Sequence, residues 1–377
     1  MTTSFQTSSI CIDLSPPSAS SVQHASDANH EGEEEVKSSP SPSSTSITIQ
    51  CLTELTPLDM MDMSFGIADP TGSCVWLGAF LFMEMFARNP CDEATMTTSS
   101  SSSQGMQRCW SRMQSTIFPP DCHVVELGAG TGMSGLSLMI HRLLDGRQSC
   151  SVDENATNLM HEQSTTFASS CCPRGPSLLV QTDANDDALE LCRINRDANM
   201  ANAGKECIYV KKLQWGKGNA FESLSCQDES LPPTYDTVFA TDVLYDLQSL
   251  APLMATASEL LKEGGHFVLS HVPRASIDDD NDSAGEGGDF WQRLESIIIG
   301  EASRVNLQLA SFASIEDDFA ACIPDNIRQN NRSSSMILRP SLLKHIWGSS
   351  TPLSKKFGWQ KMIDVGAAIF IFQKQIS

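Results

Sequence analysis

The 377 residues predict an α/β fold: a mostly parallel sheet with helices on both faces and an antiparallel last strand. Three observations lead there. Short apolar runs alternate with helix-period segments between about residues 124 and 270, the first of these runs ends in a cluster of glycines, and two more apolar runs near residues 307 and 367 are separated by a long excursion. Strands that alternate with helices pack side by side in parallel, because each crossover helix carries the chain back to the edge it started from.

Each element has its own warrant. Val124–Leu127 is a short apolar run, and Met133–Leu144 carries Leu136, Met139, Ile140 and Leu143 at helical spacing. Leu178–Gln181 is a second strand, followed by a helix from about Asp186 to Asn199. Tyr209–Leu213 and Tyr235–Ala240 read as strands. Leu247, Leu250, Met254, Ala257 and Leu261 mark a helix that Gly264-Gly265 is expected to stop, with His266–Ser270 as the strand after it. Leu307–Phe312 and Ala367–Gln373 supply the terminal antiparallel pair.

Residues 1–45 are rich in Ser, Thr, Pro and Glu, with Glu31-Gly-Glu-Glu-Glu35 and Ser38-Ser-Pro-Ser-Pro42. Such a stretch buries too little apolar area to offset its chain entropy and is expected to be a disordered tail. Similar polar interruptions near 97–103, 149–176, 278–288 and within 313–360 (Asn330–Ser335) read as surface insertions in a single domain over 46–377.

Composition narrows the function. Twenty-five basic against forty-six acidic residues leave a formal charge of −21, which repels phosphate backbones and argues against nucleic acid as a partner. No basic run is longer than Lys211-Lys212. The thirteen cysteines include no CxxC pair, so reduced thiols in the cytoplasm, with the nucleus also open, and no metal site are expected. No apolar run approaches the ~18 residues of a membrane span. One Lys and no Arg in the first fifty residues argue against a mitochondrial presequence.

Val124-Val-Glu-Leu-Gly-Ala-Gly-Thr-Gly132 runs a buried strand into three alternate glycines just before a helix. A tight turn needs one such glycine; three suggest main chain approached by a ligand. Gly130-Thr-Gly-Met-Ser-Gly135 matches the dinucleotide pattern GxGxxG, but Gly128-Ala129 intervene after the strand, and about 20 residues on there is no strand to end in an acid. A NAD-dependent oxidoreductase is therefore the distant rival. The frame Glu126-x-Gly-x-Gly-x-Gly132 instead resembles motif I of seven-strand S-adenosylmethionine-dependent methyltransferases, and Asp183 closes the next strand.

Further anchors sharpen the resemblance. Thr71-Gly-Ser-Cys-Val-Trp76 precedes a helical Phe80–Phe86, Thr182-Asp-Ala-Asn185 leads to a helix with Asn195 and Asn199, Leu213-Gln-Trp-Gly216 follows a strand, and Phe239-Ala-Thr-Asp-Val-Leu-Tyr245 ends the next. In this order the chain is similar to the family-16, lysine-methyltransferase-like branch. The departures are the long interruptions and Gln214, where that family often has Asp. The resemblance implies a Rossmann-like seven-strand sheet and S-adenosylmethionine as cofactor. It places Gly128, Gly130 and Gly132 along the methionine part with Glu126 beneath them, Asp183 on the ribose, Trp215 beside the adenine, Trp76 closing over the cofactor, and Ala240 among the cofactor-binding residues. It makes Asp242 and Tyr245 the catalytic pair.

For a lysine acceptor, with a side-chain pKa near 10.4, the neutral amine is only about 1 in 10³ at neutral pH, a cost of about 4 kcal/mol. Asp242 is expected to capture and aim that amine, with Tyr245 as an orienting acceptor while the proton leaves by water. As a bland alternative, Asp242 caps the helix starting near Asp246. The acidic surface suits a protein substrate with a basic target segment, and a monomer is favoured. Pro273-Arg274 resembles a recurrent arginine that aids positioning. Arginine or histidine acceptors, a small-molecule acceptor, and a cofactor-binding scaffold without turnover remain as alternatives.

Overall fold

The computed structural model describes residues 8–13, 46–51, 70–86, 101–140, 176–200, 205–217, 219–273, 288–311, 337–347 and 359–376. In chain order these form β1 (Ser8–Asp13), β2 (Ser46–Cys51), a 3-10 turn at Pro70–Ser73, α1 (Leu77–Phe86), α2 (Ser101–Ile117) and β3 (His123–Leu127). Helix α3 covers residues 133–140. Then come β4 (Leu178–Asp183), α4 (Asp186–Asn199), β5 (Ile208–Lys212), α5 (Ala220–Ser225), β6 (Tyr235–Thr241), a 3-10 turn at Leu247–Ser249, α6 (Leu250–Leu260) and β7 (Leu261–His271). The last elements are α7 (Gly288–Arg304), β8 (Leu307–Leu309), β9 (Ile337–Leu338), α8 (Pro340–Trp347), α9 (Trp359–Asp364) and β10 (Ala368–Lys374).

The main sheet has the order β5-β4-β3-β6-β7-β10-β8, with β9 pairing the same edge of β10 as β8. Strands β3 to β7 are mutually parallel, and β10 is antiparallel to each of its neighbours. This is the expected Rossmann-like methyltransferase sheet with its antiparallel end.

Period-2 alternation explains why helices cover both faces. Val124, Phe239, Ile369 and Ile371 point into one core, with α1, α2 and α3; Val125, Leu127, Val238, Ala240, Phe370 and Phe372 point into the other, with α5, α6 and α7. Helix α1 reads Leu-Gly-Ala-Phe-Leu-Phe-Met-Glu-Met-Phe, and every residue after Leu77 is buried, as befits a helix apolar all round. Its Phe82 stacks on Phe239 of β6 with centroids 4.5 Å apart, which seats α1 directly on the sheet.

Several boundaries differ from expectation. Ser8–Asp13 falls inside the segment read as tail, yet pairs antiparallel with β2; residues 14–45 lie outside the described residues. Helix α6 ends at Leu260 rather than at the glycines, because β6 captures Leu261 opposite Tyr235. Between that pair and Thr237↔His266 the register shifts, and Gly264 at φ +75° takes up the extra residues as a bulge. The interruption at 97–103 gives way to α2 from Ser101, and α7 begins at Gly288. The stretch 313–360 contains a strand on β10 and a helix, so it is not wholly an insertion. Strand β8 stops at Leu309. The expectations for Leu143, Leu144, the interruption over 149–175, Arg274, Phe312 and Asn330–Ser335 lie outside the described residues. No helix among the described residues is long and apolar enough to cross a membrane.

Candidate functional site

A cavity of about 360 Å³ opens at the carboxyl ends of β3, β4 and β6, within the size range of small-molecule sites. Among the predicted residues, Trp76, Gly128, Gly130, Asp183, Trp215 and Tyr245 line it together. Glu126, Gly132, Ala240 and Asp242 do not; they stand behind its walls.

The glycine loop leaves β3 with Gly128, Gly130 and Gly132 all at positive φ. A Cβ on Gly130 would lie 2.7 Å from the Gly72 carbonyl oxygen, and one on Gly132 would lie 2.6 Å from Cys192 Sγ. These glycines are required by the left-handed backbone and by close protein neighbours, rather than by ligand approach alone. The Gly130 amide donates to Asp183 Oδ2 at 3.0 Å, and the Asn185 amide donates to Oδ1 at 2.9 Å. A carboxylate oxygen can accept more than one hydrogen bond, which is the chemistry a sugar hydroxyl calls for. Asn185 also caps α4, accepting from Asp187 and Ala188 amides, which fixes the turn that presents Asp183.

Two indoles wall the cavity. Trp215 lies against the loop, its Cζ2 3.2 Å from where a Gly128 Cβ would stand. Trp76 sits at the start of α1, its carbonyl accepting from the Ala79 amide, and meets the Tyr245 ring edge-on at 6.5 Å and 62°. Tyr245 is 41% exposed at the mouth. The exposed Gln214 lines the same cavity.

Asp242 departs from its expected place. It is 3% exposed at φ +54°, with Oδ2 accepting from the Gly78 amide at 2.7 Å and Oδ1 from the Val272 amide at 2.8 Å. The carboxylate ties together the ends of β6 and β7 and the first turn of α1, just after Trp76, and it does not face the cavity where an amine would be captured. The capping alternative is corrected too, since Asp246 caps the 3-10 turn by accepting from the Gln248 amide. Ala240, expected to touch cofactor, is fully buried between Leu127 and Leu269 in the sheet.

Beneath the loop, Glu126 is 1% exposed and accepts from Gln181 Nε2 at 2.7 Å. The same Gln181 nitrogen donates to the Gly132 carbonyl, and Cys192 Sγ donates to Gln181 Oε1. Reading the sequence passed over Gln181. Its signal was a polar residue inside the otherwise apolar Leu-Leu-Val run, where a buried amide must find partners.

Burial pushes the Glu126 carboxyl up to about 8, against the lowering effect of the Gln181 hydrogen bond. Between its ordinary 4.5 and about 8, the folded chain holds a proton that the unfolded chain releases. Stability therefore falls as pH rises through that window and levels off above it. Glu126→Gln keeps an acceptor for Gln181 without titrating. Its melting temperature relative to the parent should climb between about pH 5 and 8, reach a plateau roughly 5 °C higher, and stay flat beyond; thermal melts at stepped pH check this.

The family model described as "Lysine methyltransferase" matches residues 167–283. No curated protein matches the chain. Among solved structures, the chain is similar to an O-methyltransferase from Bacillus cereus in complex with SAH (13% identity, 85% of this chain and 98% of that one, TM-score 0.32). It is also similar to a methyltransferase from Pyrococcus furiosus (12% identity, 71% and 83%, TM-score 0.31), and to the Methanococcus jannaschii fibrillarin pre-rRNA processing protein (12% identity, 68% of each chain, TM-score 0.34). The chain has the fold of the class I S-adenosylmethionine-dependent methyltransferases, and its segment 167–283 matches the model described as lysine methyltransferase.

Proposed function

We propose that the cavity binds S-adenosylmethionine and that the chain transfers its methyl group to a lysine side chain of a protein. The observation that carries the reading is the 3.0 Å bond between the Gly130 amide and Asp183, which joins the glycine loop and a strand-end acid in one cavity. The residues suit the ligand: two indole faces for a flat base and a cationic sulfur, and a strand-end carboxylate as acceptor for a ribose. When bound, the sulfonium supplies a methyl group already activated towards attack.

What remains for the protein is alignment and exclusion of water. Trp76 closes one side of the mouth, and the Tyr245 hydroxyl orients the acceptor nitrogen. Held by the glycine loop, Asp183 and the two indoles, the donor would supply its methyl carbon to that nitrogen's lone pair, its sulfur would keep the bonding electrons, and the nitrogen's proton would pass to water. Asp183 is the one acid lining the cavity among the described residues. With Asp242 withdrawn behind the wall, no second carboxylate among the described residues lines the cavity to favour the charged ammonium, which lowers the cost of presenting a neutral amine. The net charge of −21 supports a basic protein segment as substrate, met in the cytoplasm or nucleus.

Incubation with labelled donor and a proteome extract, followed by mass spectrometry, tests the function. Labelled lysine in a protein is the expected result; label on arginine, histidine or small molecules, or binding without transfer, would each replace it. Asp183→Asn loses charge and one acceptor, so SAH should bind about tenfold more weakly by calorimetry, roughly 1.4 kcal/mol.

A further inference from the structure

Strand β2 has a strand, β1, on one edge and a helix on the other. Along a strand, alternate residues turn both main-chain groups to the same edge. On the α4 side, the Thr48 amide donates to Asn199 Oδ1 at 2.8 Å, and Asn199 Nδ2 donates back to the Thr48 carbonyl at 2.7 Å. Two residues on, the Gln50 amide donates to Asn195 Oδ1 at 2.7 Å, and Asn195 Nδ2 returns a bond to the Gln50 carbonyl at 2.9 Å. Four residues of helix rise about 6.0 Å and two residues of strand about 6.8 Å, so two carboxamides at i and i+4 imitate a neighbouring strand. Meanwhile Ile47, Ile49 and Cys51 are fully buried in the core shared with Met133 and Leu136 of α3.

Asn195 also reaches the cofactor loop. Its Nδ2 donates to the Thr131 carbonyl at 2.9 Å, and Thr131 lies between Gly130 and Gly132 on the cavity wall. One fully buried side chain therefore holds the N-terminal strand and the glycine loop at once. We infer that docking of β2 on α4 and cofactor binding in the glycine loop are energetically coupled through Asn195, so that the N-terminal strand is a working part of the cofactor site. Ordering the loop fixes Thr131 and so the Asn195 amide that clamps β2; by reciprocity, freeing β2 weakens the cofactor. The inference rests on the cofactor reading above.

The test is hydrogen exchange on the full chain with and without SAH, beside calorimetry. In the parent, saturating SAH should slow exchange at Thr48 and Gln50 about tenfold. Asn199→Ala leaves the Thr131 contact in place but removes one rung of the clamp. It should speed exchange at 46–51 without ligand and raise the SAH Kd about fivefold. SAH binding that leaves exchange at 46–51 unchanged overturns the coupling, as does an Asn199→Ala variant with a loosened strand and parental affinity. An Asn199→Ala strand that exchanges no faster overturns the clamp itself. Failure of the parent to bind SAH at all removes the cofactor reading, and is told apart because it appears before any variant is made.

Discussion

Replacing Gly130 by alanine should raise the SAH Kd more than about a hundredfold while the protein still folds. The backbone there sits at φ +52°, a left-handed conformation that costs an L side chain roughly 1–2 kcal/mol. The new Cβ would also stand 2.7 Å from the Gly72 carbonyl oxygen, which is main chain and has no rotamer by which to step aside. Relief requires the loop to withdraw. The Gly130 amide is the donor to Asp183, so withdrawal displaces the carboxylate proposed to hold the ribose. Calorimetry with SAH measures the loss, and a melting curve shows that folding persists. Gly300→Ala in α7, where nothing lies within 4 Å of the added atom, is the control and should leave binding unchanged. Binding within tenfold of the parent at Gly130→Ala would mean the loop yields, and the cradle would not be rigid.

Asp242→Asn should lower turnover about a hundredfold and reduce melting temperature without moving the pH dependence of the rate. The carboxylate accepts from two main-chain amides, Gly78 and Val272. A carboxamide offers one acceptor oxygen and sets an NH₂ group against the other amide. One charge-assisted bond is lost and a buried donor is left unpaired, together costing about 2–4 kcal/mol. Asparagine tolerates the left-handed backbone as aspartate does, so strain at φ +54° does not confound the comparison. The damage spreads through position: α1 and Trp76 shift, and with them the mouth shared with Tyr245. A carboxylate touching the amine would behave otherwise. Its removal would move the acid limb of the pH–rate profile and leave the melting temperature and SAH affinity intact, and that result would return Asp242 to the acceptor.

Signals local in the chain were legible before any coordinates. Val124–Leu127 and its glycines, the Asp186–Asn199 helix, and the strand-end Asp183 depend on neighbours within a few residues. The structure places them as read. Asp242 was misplaced because its partners are 164 and 30 residues away, and position at a strand end does not say which way a carboxylate faces. Helix α6 was drawn too long because Leu261 continues the apolar spacing, and only pairing with Tyr235 shows that a strand has claimed it. The strand at Ser8–Asp13 was hidden by the composition of the residues around it; its stability comes from β2, which itself leans on Asn195 and Asn199. Those asparagines were noticed as a motif, but their purpose needed the strand that lies across them.

The last strand of the sheet is an inner one. β10 (Ala368–Lys374) fills the gap between β7 and β8, and its Lys374 ammonium seals the carbonyls of Ser258 and Leu261 at the end of α6. During synthesis, everything up to residue 367 can leave the ribosome while the gap stays open, with the hydrogen-bonding edge of β7 unpaired. The half of the sheet that carries the glycine loop can assemble early, but the completed sheet forms only after translation has passed this strand, and until then the nascent chain is a natural client for chaperones.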